Sequence, residues 1–258
     1  MNFFVSTRAE LIKIKRSASL WICFLGAGFI PLIFLLNYAL QPAKNLPRLM
    51  MFPWAVHFGI GWHAFSSFLL PMFIILICSL IPQIEFKNNT WKQVFASPQP
   101  LANIFFSKLF VIVVTIILLF LLFNFFLVMS AVLANLIIPK YGFLKSHVDI
   151  ITMWKLNWQI FLSVMGIIAF QYFLSLRFKN FIAAVGIGLA LLIASIIAIP
   201  FWDHAYTLPY AHPMLTMQNF ASKKNQVALP KHEIYSVFYF IGFALLAFLD
   251  MKYRKERG

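Results

Sequence analysis

Acidic side chains are scarce in this chain. Seven Asp and Glu stand against 21 Lys and Arg, and charged residues of both signs fill only 11% of 258 positions. A soluble domain ordinarily carries about a quarter. With 62% hydrophobic residues and 31 Phe, the polar surface is too small to cover a soluble core, and the same figures exclude intrinsic disorder. The composition is that of an integral membrane protein of the all-α class. The net charge of +14 reflects the shortage of acids. The bases flank apolar runs instead of forming one stripe, which excludes a nucleic-acid surface.

Chemistry-bearing patterns are missing too. The two cysteines, Cys23 and Cys78, both lie in apolar segments and read as small packing residues. The six histidines, His57, His63, His147, His204, His212 and His232, all fall on the outer side or its edge. None forms an i,i+4 pair, and His232-Glu233 does not extend to H-E-x-x-H. No G-x-S-x-G occurs, and no G-x-x-x-x-G-K-[ST] phosphate loop. No charged residue sits in the core of an apolar run, as a proton- or ion-driven carrier would require. The chain is expected to be no enzyme and to use no cofactor or metal. Energy for any transport must come from a partner.

What is present is apolar length. A spanning helix needs about 20 residues, and six segments qualify: Ser19–Leu40, Trp62–Pro82, Leu109–Ile138, Leu156–Leu176, Phe181–Ile199 and Ile234–Leu249. The first is too long for a cleaved signal, the third must tilt or project, and the last is short. Placing the N-terminus inside puts 13 bases in 57 residues on the cytoplasmic side and 8 in 72 on the other. Both termini are therefore expected in the cytoplasm, with the loop Pro200–Glu233 outside. Trp54, Trp62, Trp154, Trp158 and Trp202 fall at outer span ends, where indole favours the interface. Neutral polar residues in the spans, Asn124 and Gln171 among them, are expected to hydrogen-bond between helices or to the preceding turn. Ala183, Ala184, Gly186, Gly188, Ala190 and Ala194 suggest close packing of the fifth span. No repeat and no second domain are evident, so residues 1–258 form one transmembrane unit.

Two cytoplasmic stretches carry information. In Phe3–Arg16, Phe3, Phe4, Leu11 and Ile14 share a helical face while Arg8, Lys13, Lys15 and Arg16 fall mostly elsewhere, and Val5 and Ile12 interrupt the pattern. This suits a helix lying under the inner leaflet, with Glu10 its one acid. A plain basic flank is the simpler alternative. In Gln83–Lys108, Thr90 through Gln93 has the capping-box form, so a short helix begins near Trp91. Pro98 ends it, and Pro100 opens the next helix. Trp91, Val94 and Phe95 are expected to be partly exposed there, either docking a partner or dipping into the leaflet. The residues alone leave that choice open.

The opening Glu10-Leu11-Ile12-Lys13-Ile14-Lys15-Arg16 resembles permease subunits of the type-two ATP-binding-cassette exporters. So do the loop Glu85-Phe86-Lys87-Asn88-Asn89-Thr90-Trp91-Lys92, Ser97-Pro98 and Ser107-Lys108. The smaller relatives are the bacitracin-resistance and lantibiotic self-protection permeases. Asn89 departs from the Gly often found before the loop Thr. The resemblance implies an interfacial helix at residues 1–18 and a coupling helix in 83–108. Glu85, Asn89, Thr90, Trp91, Val94 and Phe95 would then meet the ATPase. It also implies a second permease copy or paralogue and ATP-binding-cassette ATPase subunits as partners, in a bacterial cytoplasmic membrane. The cargo expected is amphipathic or lipid-like, such as an antimicrobial peptide. The rival reading is a membrane scaffold or receptor that binds a cytoplasmic partner through the same loop.

Overall fold

A computed structural model describes residues 3–15, 17–87, 91, 99–178, 180–222 and 230–253. Helices joined by short connections make up the described residues, with no strand among them. α1 (Phe3–Lys15) precedes α2 (Ala18–Leu40), and a short α3 (Pro42–Leu49) follows. α4 (Pro53–Ala64) runs through a π turn at Phe65–Leu69 into α5 (Leu70–Lys87). Next come α6 (Leu101–Ile137), α7 (Ile150–Arg177), α8 (Phe181–Ala198), α9 (His212–Ala221) and α10 (Lys231–Tyr253). Six helices are long and apolar enough to cross a bilayer: α2, the joined α4–α5, α6, α7, α8 and α10.

Local chemistry explains the boundaries. The Ser17 hydroxyl caps α2 by accepting from Ser19 N, and Asn180 caps α8 by accepting from Ile182 N at 2.9 Å. Pro42 and Pro53 stand in the first turns of α3 and α4, where the missing N–H costs nothing. α6 is the longest element. Its 37 residues reach ~55 Å at 1.5 Å per residue, nearly twice the ~30 Å hydrocarbon layer.

α2 packs along α6, α10 along α7, and α5 lies between α6, α7 and α8. Gly26 lets α2 approach α5, since a Cβ there would stand 2.7 Å from the Phe73 ring. Trp62 and Phe65 turn inward, and Phe65 stacks on Phe123 of α6 at 3.9 Å between centroids. At one end of the bundle lie α1, the facing ends of α7 and α8, and the stems at Lys87 and Gln99, hereafter the α1 end. At the other, the distal end, 139–145 closes the bundle. Tyr141 Oη donates to Tyr38 O at 2.7 Å, Trp54 Nε1 to Phe143 O at 2.8 Å, and Phe143 N to Asn135 Oδ1 at 2.9 Å.

The second span begins nine residues before the Trp62 expected of it. His57 is therefore inside the bundle and not in a loop, fully buried, with Nε2 donating to Leu127 O at 3.0 Å and Nδ1 accepting from Tyr38 Oη at 2.9 Å. Gly59, Gly61 and the two histidines lowered the apparent hydropathy of this turn. The sixth span gains a turn at each end for the same reason, as it carries Glu233 and Asp250. In α8 only part of the small-residue set faces the protein: Ala184 and Gly188 are buried, whereas Gly186 and Ala190 are exposed. Neutral polar side chains bond locally or between helices. Thr115, Ser130, Ser163 and Ser175 donate to the turn before them, and Asn124 pairs with Asn157 across α6 and α7.

Candidate functional site

The α1 end holds four charges in one knot. α1 has neither Gly nor Pro, and its Lys13 and Lys15 suit the negative end of a helix dipole. Its inward residues Ser6, Thr7, Glu10 and Ile14 share one face, spaced i, i+1, i+4 and i+8. Phe4, Val5, Leu11 and Ile12 are exposed on the other side, so the helix presents a largely polar stripe to the bundle and apolar side chains outward. Sequence spacing placed Ile14 with Phe4 and Leu11. The structure separates them: Ile14 is buried, Phe4 is 83% exposed, and Phe3 is half-buried against the Phe110 ring. Arg16 lies outside the described residues.

Glu10 meets its partners across 98 residues of sequence. Lys108, in the second turn of α6, donates from Nζ to Glu10 Oε2 at 2.7 Å and to Glu85 Oε1. Lys13 Nζ donates to Glu10 Oε1 at 2.7 Å and Glu85 Oε1 at 2.8 Å. Two carboxylates thus hold two ammonium groups, and the knot is neutral. Lys108 and Glu85 have side-chain exposures of 0% and 1%. Lone charges could not be buried so deeply, and burying them demands this pairing. The Trp91 ring covers the cluster, tilted against the Phe86 ring at 5.1 Å between centroids, with Lys108 Nζ 5.6 Å from the Trp91 centroid. Below it Tyr172 Oη donates to Phe105 O at 3.0 Å, and beside it Ser6 Oγ donates to Gln99 Oε1 at 2.7 Å.

Two expectations need correction here. Glu85 does not present its carboxylate at the surface: Lys13 and Lys108 of the same chain occupy it, because α5 and α6 bring the two stems of the loop together. Trp91 is not partly exposed; it is buried at 7% exposure, since its ring covers a cation and a phenyl group. Asn89, Thr90, Val94 and Phe95 lie outside the described residues. Lys108, read beforehand as a flanking base and as part of the Ser107-Lys108 match but not as a site residue, is the centre of the cluster. Its signal was the rarity of acids: two of seven, Glu10 and Glu85, fall at the same end as the start of α6.

Burial works to raise the Glu10 pKa, but Lys108 and Lys13 overcome it and hold the carboxyl below its ordinary 4.5. Burial likewise works to lower Lys13, and Glu85 and Glu10 hold it above 10.5. The Glu10 contribution is present above pH 4.5 and lost as pH falls through the depressed value. The Lys13 contribution is present below pH 10.5 and lost as pH rises through the elevated one. A spin label at exposed Arg8 should accordingly stay immobile between about pH 5 and 10 and gain mobility in stronger acid, as α1 leaves the bundle. Unchanged spectra in acid strong enough to protonate Glu10 would show that the charges do not hold α1.

Among the described residues no three His, Cys, Asp or Glu gather as a metal site requires. The geometry instead ties an N-terminal helix, the ends of two spans and the loop between them into one unit. No curated protein and no solved structure matches the chain. The profile of the ABC-2 family transporter protein does match, over residues 7–195, which takes in most of α1, the charge knot, the loop, the first four spans and most of the fifth. A helical chain in which most of the N-terminal helix, the intervening loop and the first five of six candidate spans fall together under that profile belongs to the ABC-2 transporter family, as a membrane-spanning permease subunit of an ABC transporter.

Proposed function

We propose that this permease exports an amphipathic or lipid-like compound, an antimicrobial peptide among the candidates, across a bacterial cytoplasmic membrane. Separate ATPase subunits drive it, and a second copy or a paralogue completes the pathway. The α1 end is cytoplasmic, consistent with the excess of bases there. The observation that carries the reading is the buried knot of Glu10, Lys13, Glu85 and Lys108. Glu85 stands on the stem entering the loop and Lys108 on the stem leaving it. A push on residues 88–98 from a closing ATPase dimer therefore moves α5 and α6 together and carries α1 with them. Glu85 and Trp91 act inside this unit, transmitting motion. Asn89, Thr90, Val94 and Phe95 form the surface offered to the ATPase. Switching between inward- and outward-facing states then follows as rigid movement of packed helices.

Single cysteines test side and partner together, because the native Cys23 and Cys78 are buried and unreactive to bulky reagents. A cysteine at exposed Lys87 should cross-link to the co-expressed ATPase and stay unlabelled by an impermeant maleimide in intact cells. One at exposed Ser222 should label in intact cells and never cross-link. The reverse pattern refutes the topology. Absence of any ATPase cross-link at Lys87 would favour a scaffold.

A further inference from the structure

Two cavities flank the first turns of α7 at the distal end. One, of about 490 Å³, lies between the starts of α4 and α7 and reaches α9, with Trp54, Phe58 and Phe220 on its walls. Its polar lining is Ser146, His147, Asp149 and Thr152. The other, of about 400 Å³, is a groove between α6 and α7 lined by Phe120, Leu121, Trp154, Trp158 and Phe161, with the Asn124–Asn157 pair its polar feature. Leu121, Trp154 and Trp158 are exposed, so in a bilayer the groove opens to acyl chains. Both volumes suit a small ligand. Met153 lines both. At 100° per residue, 149, 152 and 156 occupy one sector of α7 and 150, 154, 157 and 158 the neighbouring sector, with 153 between them. A largely apolar chamber with four polar side chains thus adjoins an apolar groove across one flexible side chain.

Charge says what suits the pair. Asp149 is the only carboxylate in either lining; His147 shares its chamber, and Lys145 and Lys155, the nearest lysines in sequence, line neither cavity. Thr152 Oγ1 donates to Asp149 Oδ2 at 2.6 Å and Thr152 N to Oδ1 at 3.0 Å. Those bonds hold the carboxyl below its ordinary 3.8, so it stays anionic. In a chain with seven acids, three others are committed to ion pairs: Glu10, Glu85 and Asp250. We infer that the two cavities form one site for a cationic amphiphile, the apolar tail in the α6–α7 groove and the cationic head beside Asp149. The inference narrows the cargo class proposed above and rests on that reading. Aromatic walls around the head chamber suit a cation further.

The test needs neither ATPase nor transport, so its failure and that of the export reading can be told apart. The full chain in phosphatidylcholine nanodiscs is photolabelled with a dodecyl chain carrying a diazirine and a trimethylammonium head, or a sulfonate head on the same chain. Adducts are then mapped by mass spectrometry. The ammonium probe should label Leu121, Trp154 and Trp158 above the level on the α10 lipid face at Phe238 and Leu245, and the sulfonate probe should not. Asp149→Asn keeps a good helix cap and removes the charge. It should reduce the ammonium preference roughly two- to five-fold, the range of one exposed ion pair. Leu121→Trp should fill the groove and abolish the excess labelling of Trp154 and Trp158 by the ammonium probe. Equal labelling of groove and α10 face, or a head preference indifferent to Asp149→Asn, overturns the site.

Discussion

Lys108→Met is expected to destabilise the protein by about 3–5 kcal/mol, the cost of breaking a buried ion pair on one side only. The substitution retains length and apolar stem but leaves Glu10 Oε2 and Glu85 Oε1 without the ammonium between them. Lys13, the remaining cation, is 35% exposed and cannot neutralise two carboxylates. At roughly 2–4 °C per kcal/mol for a chain of this size, the melting midpoint in detergent should fall by about 10 °C. Adding Glu85→Gln should recover most of the loss, because Glu10 and Lys13 then form a balanced pair. Glu85→Ala alone should be costly too, since Lys108 keeps only Glu10. A Lys108→Met midpoint within about 2 °C of wild type, or a double variant no better than the single one, would mean that water or rearrangement compensates the charges.

A comparable loss, about 2–4 kcal/mol, should follow Gln171→Leu at the junction of α5, α7 and α8. Gln171 is fully buried, donating from Nε2 to Ser79 Oγ at 3.0 Å and Ala184 O at 2.8 Å, while Oε1 accepts from Tyr210 Oη at 2.8 Å. Leucine matches the volume but strands the Tyr210 hydroxyl and the Ser79 oxygen. Each stranded group costs ~1–3 kcal/mol in soluble cores, and bonds between membrane helices average about 0.6. Gly188→Ala attacks the same amide sterically. Its Cβ would lie 2.5 Å from Gln171 Oε1 and 3.0 Å from Ile75 Cγ2, and an amide held by three partners cannot swing aside. Overpacking of this kind costs about 1–3 kcal/mol. Melting midpoints of the two variants and of Tyr210→Phe settle the matter. Near-wild-type values for both Gln171→Leu and Gly188→Ala would show that the amide network does not fasten α8 to the bundle.

The parts of this fold that were readable beforehand share a property: each depends on residues near one another in sequence. Six runs of apolar side chains leave water whatever their neighbours do, so the number of spans follows from hydropathy. Pro100, immediately ahead of α6, and the hydrophobic basic opening of α1 are equally local signals. Where local sums mislead, the reason is also local. Gly59, Gly61, His57 and His63 dilute the turn that starts the second span, although His57 is paired on both ring nitrogens and is as buried as any leucine.

The candidate site was only half legible for a different reason. Sequence alone marks Glu10, Glu85 and Trp91 as unusual, and its pattern makes Phe3, Phe4, Leu11 and Ile14 one apolar face. It cannot say which way those side chains point. The direction of Glu85 depends on Lys108, 23 residues later, and that of Glu10 on the same lysine 98 residues away. Composition and periodicity determined that the chain carries six runs apolar and long enough to cross a membrane behind a basic N-terminal helix. Only the tertiary structure turned that helix's polar stripe inward, covered Lys108 with Trp91 and joined the two loop stems through charge. Apolar burial is nearly additive and non-directional, whereas a buried charge is tolerated only where its partner arrives.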